Sequence, residues 1–491
     1  MERSSVTARR TLLLAGPLIA GALIVAAKLG TPPVLGLAPN ALIALALAVW
    51  MAIWWISEVV PIGATALLPM VVLPLLGVTP MKAVVTPYMN PFIVLMMAGF
   101  MAALAIERWG LHRRLALRVL VALGASPKRL VLGMMLATAI SSMWISNTAS
   151  TLIMLPIGTA LLRRLEDGGA SEREVHALGT AMFLGIAYSA SIGGLGTPIG
   201  TPPNLIYMGV YEKTFGSAPT FAGWMGIGVP LVAVAIPLVF WWLTRGRDRF
   251  PASLPVGSRG ALREDLRRLG PMSADERAVA GVFLTMIVLW ITSEVKVGDT
   301  SWGWAPALGL SDYVHEATVA VLGAVALFAW PSRTRPGERL LDWPTASRIP
   351  WDVVLLFGGG VALADAFSST GLSKAVSEGL SGLAGLPVPL MILIIALVVT
   401  FLTEVTSNTA TATVLMPILA VFAKSANVPP AMIMLPAALS ASCAFMLPVA
   451  TPPNAIVFGT KRITIAEMAR AGFVLNLGGA VLVTIAVYLL A

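Results

Sequence analysis

The sequence predicts an all-α polytopic membrane protein built from two related halves. Of its 491 residues, 57% are hydrophobic and 12% are charged, whereas an ordinary soluble protein carries roughly 25% charged residues. Several apolar runs reach the roughly 20 residues that are needed to cross a bilayer. Two polar stretches inside such runs are near copies of each other, Ser-Asn-Thr-Ala-Ser-Thr at 146–151 and Ser-Asn-Thr-Ala-Thr-Ala at 407–412. Together these observations predict a repeated membrane architecture with a polar centre.

The apolar runs, taken in order, predict about eleven transmembrane helices and two re-entrant hairpins. The crossings lie near 11–29, 39–57, 61–78, 91–107, 176–210, 223–244, 277–293, 316–331, 351–370, 429–460 and 464–490. The hairpins are 130–162 and 388–424, each too long for one crossing and interrupted by its Ser-Asn-Thr motif. Glycines and prolines also break the helices at 176–210 and 429–460.

The basic residues predict the orientation of the chain. Lys and Arg number 33 against 24 Asp and Glu, a formal net charge of +9. In a membrane protein such an excess is typical of cytoplasmic loops and does not by itself indicate nucleic acid. With the N-terminus in the cytoplasm, the basic loops 108–129, 245–272 and 332–349 all fall inside the cell, in its inner (plasma) membrane. Loop 371–387, with its single Lys374, falls outside. The first hairpin then opens to the cytoplasm and the second to the exterior.

A constant offset of 261 residues relates the two halves. It carries Leu95 onto Leu356 and Gly99 onto Gly360, as well as one Ser-Asn-Thr motif onto the other. The predicted organisation is an N-terminal cytoplasmic segment and first span at 1–38, a first inverted repeat at 39–245, a basic cytoplasmic linker at 246–272, and a second inverted repeat at 273–491.

The polar breaks predict a binding site. Each Ser-Asn-Thr motif has a later partner, Thr-Pro-Pro-Asn at 201–204 and at 451–454. Such breaks are costly in lipid unless they line a cavity or contact a ligand, and matched pairs of them indicate a transporter with a central site. Helix N-termini at the breaks suit an anion, while unwound carbonyls and hydroxyls suit a small cation. Neither kind of motif contains Arg, Lys or His, so co-bound cations are the natural means of offsetting an anion's charge.

These doubled motifs resemble the divalent anion:sodium symporter (DASS) family over roughly residues 40–490, and the stretch 402–409 looks like the family signature. The resemblance implies a homodimer that carries di- or tricarboxylates or sulfate, usually with several sodium ions and no other cofactor. It also implies a static scaffold domain and a transport domain that moves like an elevator.

Carried over residue by residue, the resemblance implies two sodium sites and one substrate site. One sodium site would use Ser142, Ser146, Asn147 and the carbonyl of Gly200. The other would use Thr403, Ser407, Asn408 and the carbonyl of Ala450. The substrate site would be formed by the hairpin tips and the neighbouring breaks, namely Ser146, Asn147, Thr148, Thr201, Pro202, Ser407, Asn408, Thr409, Thr451 and Pro452.

The sequence is compatible with several functions. Sodium-driven uptake of C4-dicarboxylates such as succinate, malate or fumarate is the first, because the cation positions are all neutral. The same fold carrying citrate or sulfate, a proton-coupled carrier, an anion exchanger and a passive anion channel remain alternatives. An intramembrane enzyme is disfavoured because the breaks offer only Ser, Thr, Asn and Glu404, so no catalytic residue is assigned. For Glu404 we expect an orienting hydrogen bond rather than direct ligation, and Cys443 is expected to be a buried hydrophobic residue.

Overall fold

The computed structural model describes residues 2–29, 36–123, 126–245, 250–251, 258–297, 300–379, 385–425 and 428–490. Apart from one short ribbon, the regular structure in these residues is helical. Its first half contains α1 Glu2–Lys28, α2 Pro39–Ser57, α3 Ile62–Thr65, α4 Leu68–Leu75, α5 Met81–Val85, a 3-10 turn Thr86–Met89, α6 Pro91–Arg108, α7 Leu111–Leu123, α8 Pro127–Ser142, α9 Asn147–Asp167, α10 Glu172–Gly194, α11 Pro202–Phe215 and α12 Phe221–Thr244.

The second half is similarly helical. It contains α13 Ser258–Arg268, α14 Ala274–Ile291, the antiparallel strands β1 Val295–Val297 and β2 Thr300–Trp302, α15 Trp304–Ala307, α16 Glu316–Ala329, α17 Trp343–Ala346, α18 Trp351–Thr370, α19 Leu372–Gly379, α20 Val388–Thr403, α21 Asn408–Ser425, α22 Pro430–Ser440, α23 Pro452–Phe458 and α24 Ile465–Leu490.

Seven helices in the described residues are long and apolar enough to cross a membrane. They are α1 (from Arg9), α2, α6, α10, α12, α18 and α24. The predicted span at 61–78 contains the two short helices α3 and α4, which are separated by two residues, and it stays a prediction. The predicted count of eleven crossings includes several of the shorter apolar helices and stays a prediction.

Each Ser-Asn-Thr motif lies at a break between two helices. Residues 143–146 separate α8 from α9, and residues 404–407 separate α20 from α21; we call these two breaks the first tip and the second tip. Ser146 caps α9, since its Oγ accepts a hydrogen bond of 3.2 Å from the backbone N–H of Ala149. A serine at this position satisfies one of the free N–H groups of a helix start, which explains why the chain can turn here.

The two later breaks are also nearly equivalent. Residues 195–201 separate α10 from α11, and residues 441–451 separate α22 from α23. Thr201 and Thr451 both have extended backbone conformations, and the prolines that follow them begin the next helix. Proline suits the first turn of a helix because its missing N–H would have no partner there.

The two halves interlock around these breaks. Helix α11, from the first half, packs on α21 and α22 of the second half. Helix α23, from the second half, packs on α9 and α10 of the first. The second part of each broken helix is therefore held by the opposite half, and this exchange brings the four breaks together.

The loops predicted from their basic residues contain helices, and α17 lies within 332–349. Helix α7 lies within 108–129 and α13 within 246–272, and the two pack together. The Arg114 side chain of α7 is buried and lies 3.0 Å from the Glu276 carboxylate, and it also donates to the carbonyl oxygens of Leu269 and Gly270. The rest of the predicted linker, at 246–249 and 252–257, and part of loop 371–387, at 380–384, lie outside the described residues.

Candidate functional site between the four helix breaks

A cavity of ≈ 910 Å³ lies between the four breaks. Its walls contain both Ser-Asn-Thr motifs and both Thr-Pro pairs. Of the residues predicted to form the sites, it is lined by Ser146, Asn147, Thr148, Gly200, Thr201, Pro202, Ser407, Asn408, Thr409, Ala450, Thr451 and Pro452. The structure thus brings together residues that are up to about 300 positions apart in the chain.

Ser142 does not line the cavity, but it lies directly behind Asn147. Its Oγ is 2.7 Å from Asn147 Oδ1 and 2.7 Å from the carbonyl oxygen of Ala190. A hydroxyl group has one proton to donate, so one of these two oxygen pairs has no proton between its members. Crowded oxygens of this kind are the ligands that small hard cations take in proteins.

Thr403 occupies the equivalent place in the second half. Its Oγ1 lies 2.8 Å from Asn408 Oδ1 and 2.9 Å from the carbonyl oxygen of Ala441. Because Thr403 also has one proton for two acceptors, the second half has the same excess of oxygen atoms as the first. The residues present therefore fit a cation in each half, which is the fit that sodium as a coupling ion requires.

The backbone approaches the first of these oxygen clusters closely at Gly194. A Cβ at Gly194 would lie 2.9 Å from Asn147 Oδ1 and 3.1 Å from the carbonyl oxygen of Gly200. A side chain here would occupy the space beside two of the predicted cation ligands. Glycine at 194 keeps that space open. This steric reason for the glycine could not be predicted from the sequence alone.

The asparagines of the two Thr-Pro-Pro-Asn motifs hold the broken segments in shape. Asn204 Nδ2 donates to the carbonyl oxygens of Gly194 and Thr197, at 2.9 and 2.8 Å. Asn454 Nδ2 donates to those of Ala444 and Leu447, at 3.1 and 3.0 Å. Both side chains are fully buried. The role of these asparagines could not be assigned from the sequence, although their occurrence at the same place in both motifs was a signal for it.

Glu404, at the second tip, links that tip to the neighbouring break. Its carboxylate accepts hydrogen bonds from the backbone N–H groups of Phe445, Met446 and Leu447, at 2.6 to 3.0 Å. It also accepts one of 2.7 Å from Asn476 Nδ2 of α24. Buried carboxylates need such donors to offset lost hydration. The expected orienting hydrogen bond is confirmed. Asn476 donates a further hydrogen bond to the same carboxylate. This role was not predicted, because Asn476 is a lone polar residue in an apolar helix.

Charged side chains also line the cavity. Glu58 follows α2, Glu107 lies near the end of α6, and Arg348 and Asp352 lie around the start of α18. Glu107 and Arg348 border two of the basic loops that the sequence places in the cytoplasm. The motif residues in the lining are neutral, so ligand charge there has to be matched by dipoles, by Arg348 or by another ligand.

The chain is similar to known transporters over most of its length. The sequence profile of the sodium:sulfate symporter transmembrane region matches residues 14–490. A protein named sodium-dependent dicarboxylate transporter SdcS from Staphylococcus saprophyticus is 41% identical over 450 residues, covering 91% of this chain and 85% of the relative. Its namesake from Staphylococcus aureus is 42% identical over 448 residues, covering 90% and 85%.

Two solved structures have the same general fold. The match to the YdaH transporter of Alcanivorax borkumensis covers 83% of this chain and 87% of the transporter chain, with a TM-score of 0.53 and 16% identity. MtrF of Neisseria gonorrhoeae, described among antimetabolite efflux pumps, covers 82% and 81%, with a TM-score of 0.54 and 15% identity. At this identity the likeness concerns the fold alone.

The profile covers nearly the whole chain, the relatives align over about nine-tenths of it, and the doubled motifs meet at one cavity. The chain therefore belongs to the sodium:sulfate symporter family, the divalent anion:sodium symporters, and is a multi-pass membrane transporter and not an enzyme.

Proposed function

We propose that the protein is a secondary active transporter that carries C4-dicarboxylates such as succinate, malate and fumarate into the cell together with sodium. The observation that carries this proposal is the cavity lined by the neutral residues of both Ser-Asn-Thr and both Thr-Pro motifs, with an oxygen-rich cluster behind each tip. Two relatives that are 41–42% identical are named sodium-dependent dicarboxylate transporters, which supports this substrate class and this coupling ion.

The proposed roles follow the two clusters. The first sodium is bound by Ser142, Ser146, Asn147 and the carbonyl of Gly200. The second is bound by Thr403, Ser407, Asn408 and the carbonyl of Ala450. The dicarboxylate lies between them, against the cavity-facing groups Ser146, Asn147, Thr148, Thr201, Pro202, Ser407, Asn408, Thr409, Thr451 and Pro452.

This arrangement gives a physical reason for coupling. A dicarboxylate in the cavity meets hydroxyl and amide groups of the four motifs, and Arg348 is the one cationic side chain in the described lining. Burying an anion without a matching charge is expensive, and two nearby cations supply that charge. A pocket of ≈ 910 Å³ has room for a four-carbon diacid with some water.

The larger movement is also part of the proposal. The chain works as a homodimer in the inner membrane, with two re-entrant hairpins in an inverted repeat and its N-terminus in the cytoplasm, and its transport domain moves by an elevator mechanism. Buried side chains of α1, α2 and α4 form a second hydrophobic cluster, which includes part of α18 and Ala410 of α21, so this cluster meets the larger one at α18 and α21.

Uptake of labelled succinate into proteoliposomes tests the proposal. We expect uptake to require an inward sodium gradient and to be inhibited by unlabelled malate and fumarate. Uptake driven equally well by a proton gradient in the absence of sodium, or only by internal anion, would favour the proton-coupled or exchanger alternative. Sodium-dependent uptake of citrate or sulfate that succinate does not inhibit would change the substrate assignment.

A further inference from the structure

A second cavity of ≈ 450 Å³ lies far from the tips, where three helices end side by side. It is formed by the beginning of α10, the end of α12 and the beginning of α24; we call it the basic cleft. Its floor is largely apolar, with Ala181, Leu184 and Leu243, while Arg173, Arg245 and Arg470 line it. The position, the apolar floor and the three arginines together indicate a ligand with a charged and an apolar part.

The arginines of the basic cleft have little to neutralise them. In the described part of the chain, Arg173, Arg245 and Arg470 form no salt bridge, and the Arg245 guanidinium stacks 3.1 Å from the centre of the Trp242 ring. Lys128 adds a fourth cation, with its Nζ 5.6 Å from the centre of the Phe250 ring that also lines the cleft.

The one carboxylate in the lining, Glu467, is already engaged. It lies 2.6 Å from His176 Nε2, and it accepts hydrogen bonds from the backbone N–H and hydroxyl of Thr464 at the start of α24. The arginine charge is therefore available to an external anion. The hydroxyl of Thr180, another lining residue, is buried and has no hydrogen-bond partner among the described residues.

The basic cleft lies at the ends of three apolar helices, so we expect it to lie at the height of the phospholipid headgroups. Helices α10, α12 and α24 are three of the seven helices long and apolar enough to span the bilayer, and the cleft contacts each within about ten residues of one end. Trp241 and Trp242 lie at the same level, and Trp241 is 64% exposed. Tryptophan is enriched at the boundary between the hydrocarbon core and the headgroups.

We propose that the basic cleft binds an anionic phospholipid. The phosphate group contacts the arginines, and the beginning of an acyl chain lies along the apolar floor between α10 and α12. Basic pockets between transmembrane helices are suited to anionic headgroups for this reason. A free phosphate would share the arginine contacts but would leave the apolar floor without a partner. The proposal concerns a site distinct from the transport cavity and does not depend on the substrate or the coupling ion.

Binding of phosphatidylglycerol to the purified full-length chain tests the proposal, with bound lipid counted by native mass spectrometry in a phosphatidylcholine background. Arg173→Gln with Arg470→Gln removes two cleft charges. Arg118→Gln with Arg263→Gln is the matched control, because both of these arginines are exposed and lie outside the cleft. Arg173→Lys with Arg470→Lys keeps the charge and guards against a loss that comes from misfolding.

We expect the glutamine pair to bind phosphatidylglycerol about thirty-fold more weakly, as two lost cationic contacts imply. The control pair should bind like the wild type, and the lysine pair should retain most of the affinity. Unchanged affinity in the glutamine pair, or equal binding of phosphatidylcholine, overturns the proposal. So does full displacement of the lipid by millimolar inorganic phosphate, which would identify a site for a soluble anion.

Discussion

At the scale of single residues, Asn147 and Asn408 are the side chains on which the proposed site most depends. Each begins the helix after its tip, each lines the cavity, and each places its Oδ1 beside the hydroxyl of Ser142 or Thr403. An amide has both acceptor and donor atoms. Its oxygen can therefore bind the cation while its NH₂ group donates to the anion.

We expect Asn147→Ala and Asn408→Ala each to abolish sodium-dependent succinate uptake. Each unmade hydrogen bond at a buried site costs about 1–3 kcal/mol, and each variant loses contacts to two ligands at once. Initial rates in proteoliposomes with equal protein insertion measure the effect. Asn40→Ala, at an exposed position outside the cavity, is the control. Wild-type kinetics in either site variant would contradict the assignment.

The hydroxyls behind the tips separate the role of the cation from that of the anion. Ser142→Ala and Thr403→Ala should raise the sodium concentration for half-maximal uptake by about tenfold, in line with about 1 kcal/mol or more per lost contact. The maximal rate at saturating sodium should fall much less. Thr403→Ser retains the hydroxyl and should retain the sodium affinity. An equal sodium requirement in Thr403→Ala and Thr403→Ser would exclude Thr403 as a ligand.

At the scale of elements, the close approach of α10 to the first tip makes a steric prediction. Gly194→Ala places a methyl group against Asn147 Oδ1 and the Gly200 carbonyl. We therefore expect the variant to lose succinate uptake and to bind sodium more weakly, and calorimetry measures the sodium affinity. Gly226→Ala is the matched control, since Gly226 is also helical and a Cβ there meets nothing within 4 Å. Similar activity in the two variants would contradict the placement of the first cation.

Glu404 acts on the site through the element that it holds. It joins the end of α20 to residues 445–447 and to α24, so we expect it to act as a positioning residue for the second proposed sodium site. We expect Glu404→Gln to raise the sodium requirement and to lower the thermal unfolding midpoint, because charged hydrogen bonds contribute about 1.5–3 kcal/mol each. Glu404→Asp should recover part of both. Glu172→Gln, at an exposed helix start, is the control; a loss of stability with unchanged sodium dependence would limit Glu404 to a structural role.

At the scale of the whole molecule, the predicted orientation can be tested with cysteine labelling. The natural Cys443 is buried, so Cys443→Ser provides a background without cysteine. Tyr313, between α15 and α16, is 83% exposed and is predicted to lie outside, while the exposed Arg263 of α13 is predicted to lie inside. A membrane-impermeant maleimide added to intact cells should label Tyr313→Cys and spare Arg263→Cys. The reverse pattern would invert the topology.

Much of the fold could be predicted because each membrane helix corresponds to one continuous apolar run in the sequence. The bounds of α2 and α18 match the predicted 39–57 and 351–370, and the doubled motifs led to the residues that line the cavity. Contacts between distant parts of the chain could not be predicted in this way. From the sequence, Arg114 is predicted to be a solvated loop residue. Its ion-pair partner Glu276 is 162 positions later in the chain and could not be foreseen. Asn476 reads as an isolated polar residue until its bond to Glu404 is seen.

The packing of short helices from each half on the other half has a consequence for how the two proposed cation sites move. Since α11 packs on the second half and α23 on the first, we expect the two oxygen-rich clusters to move together as one unit. A carrier built in this way would move both proposed cation sites across the membrane in the same step.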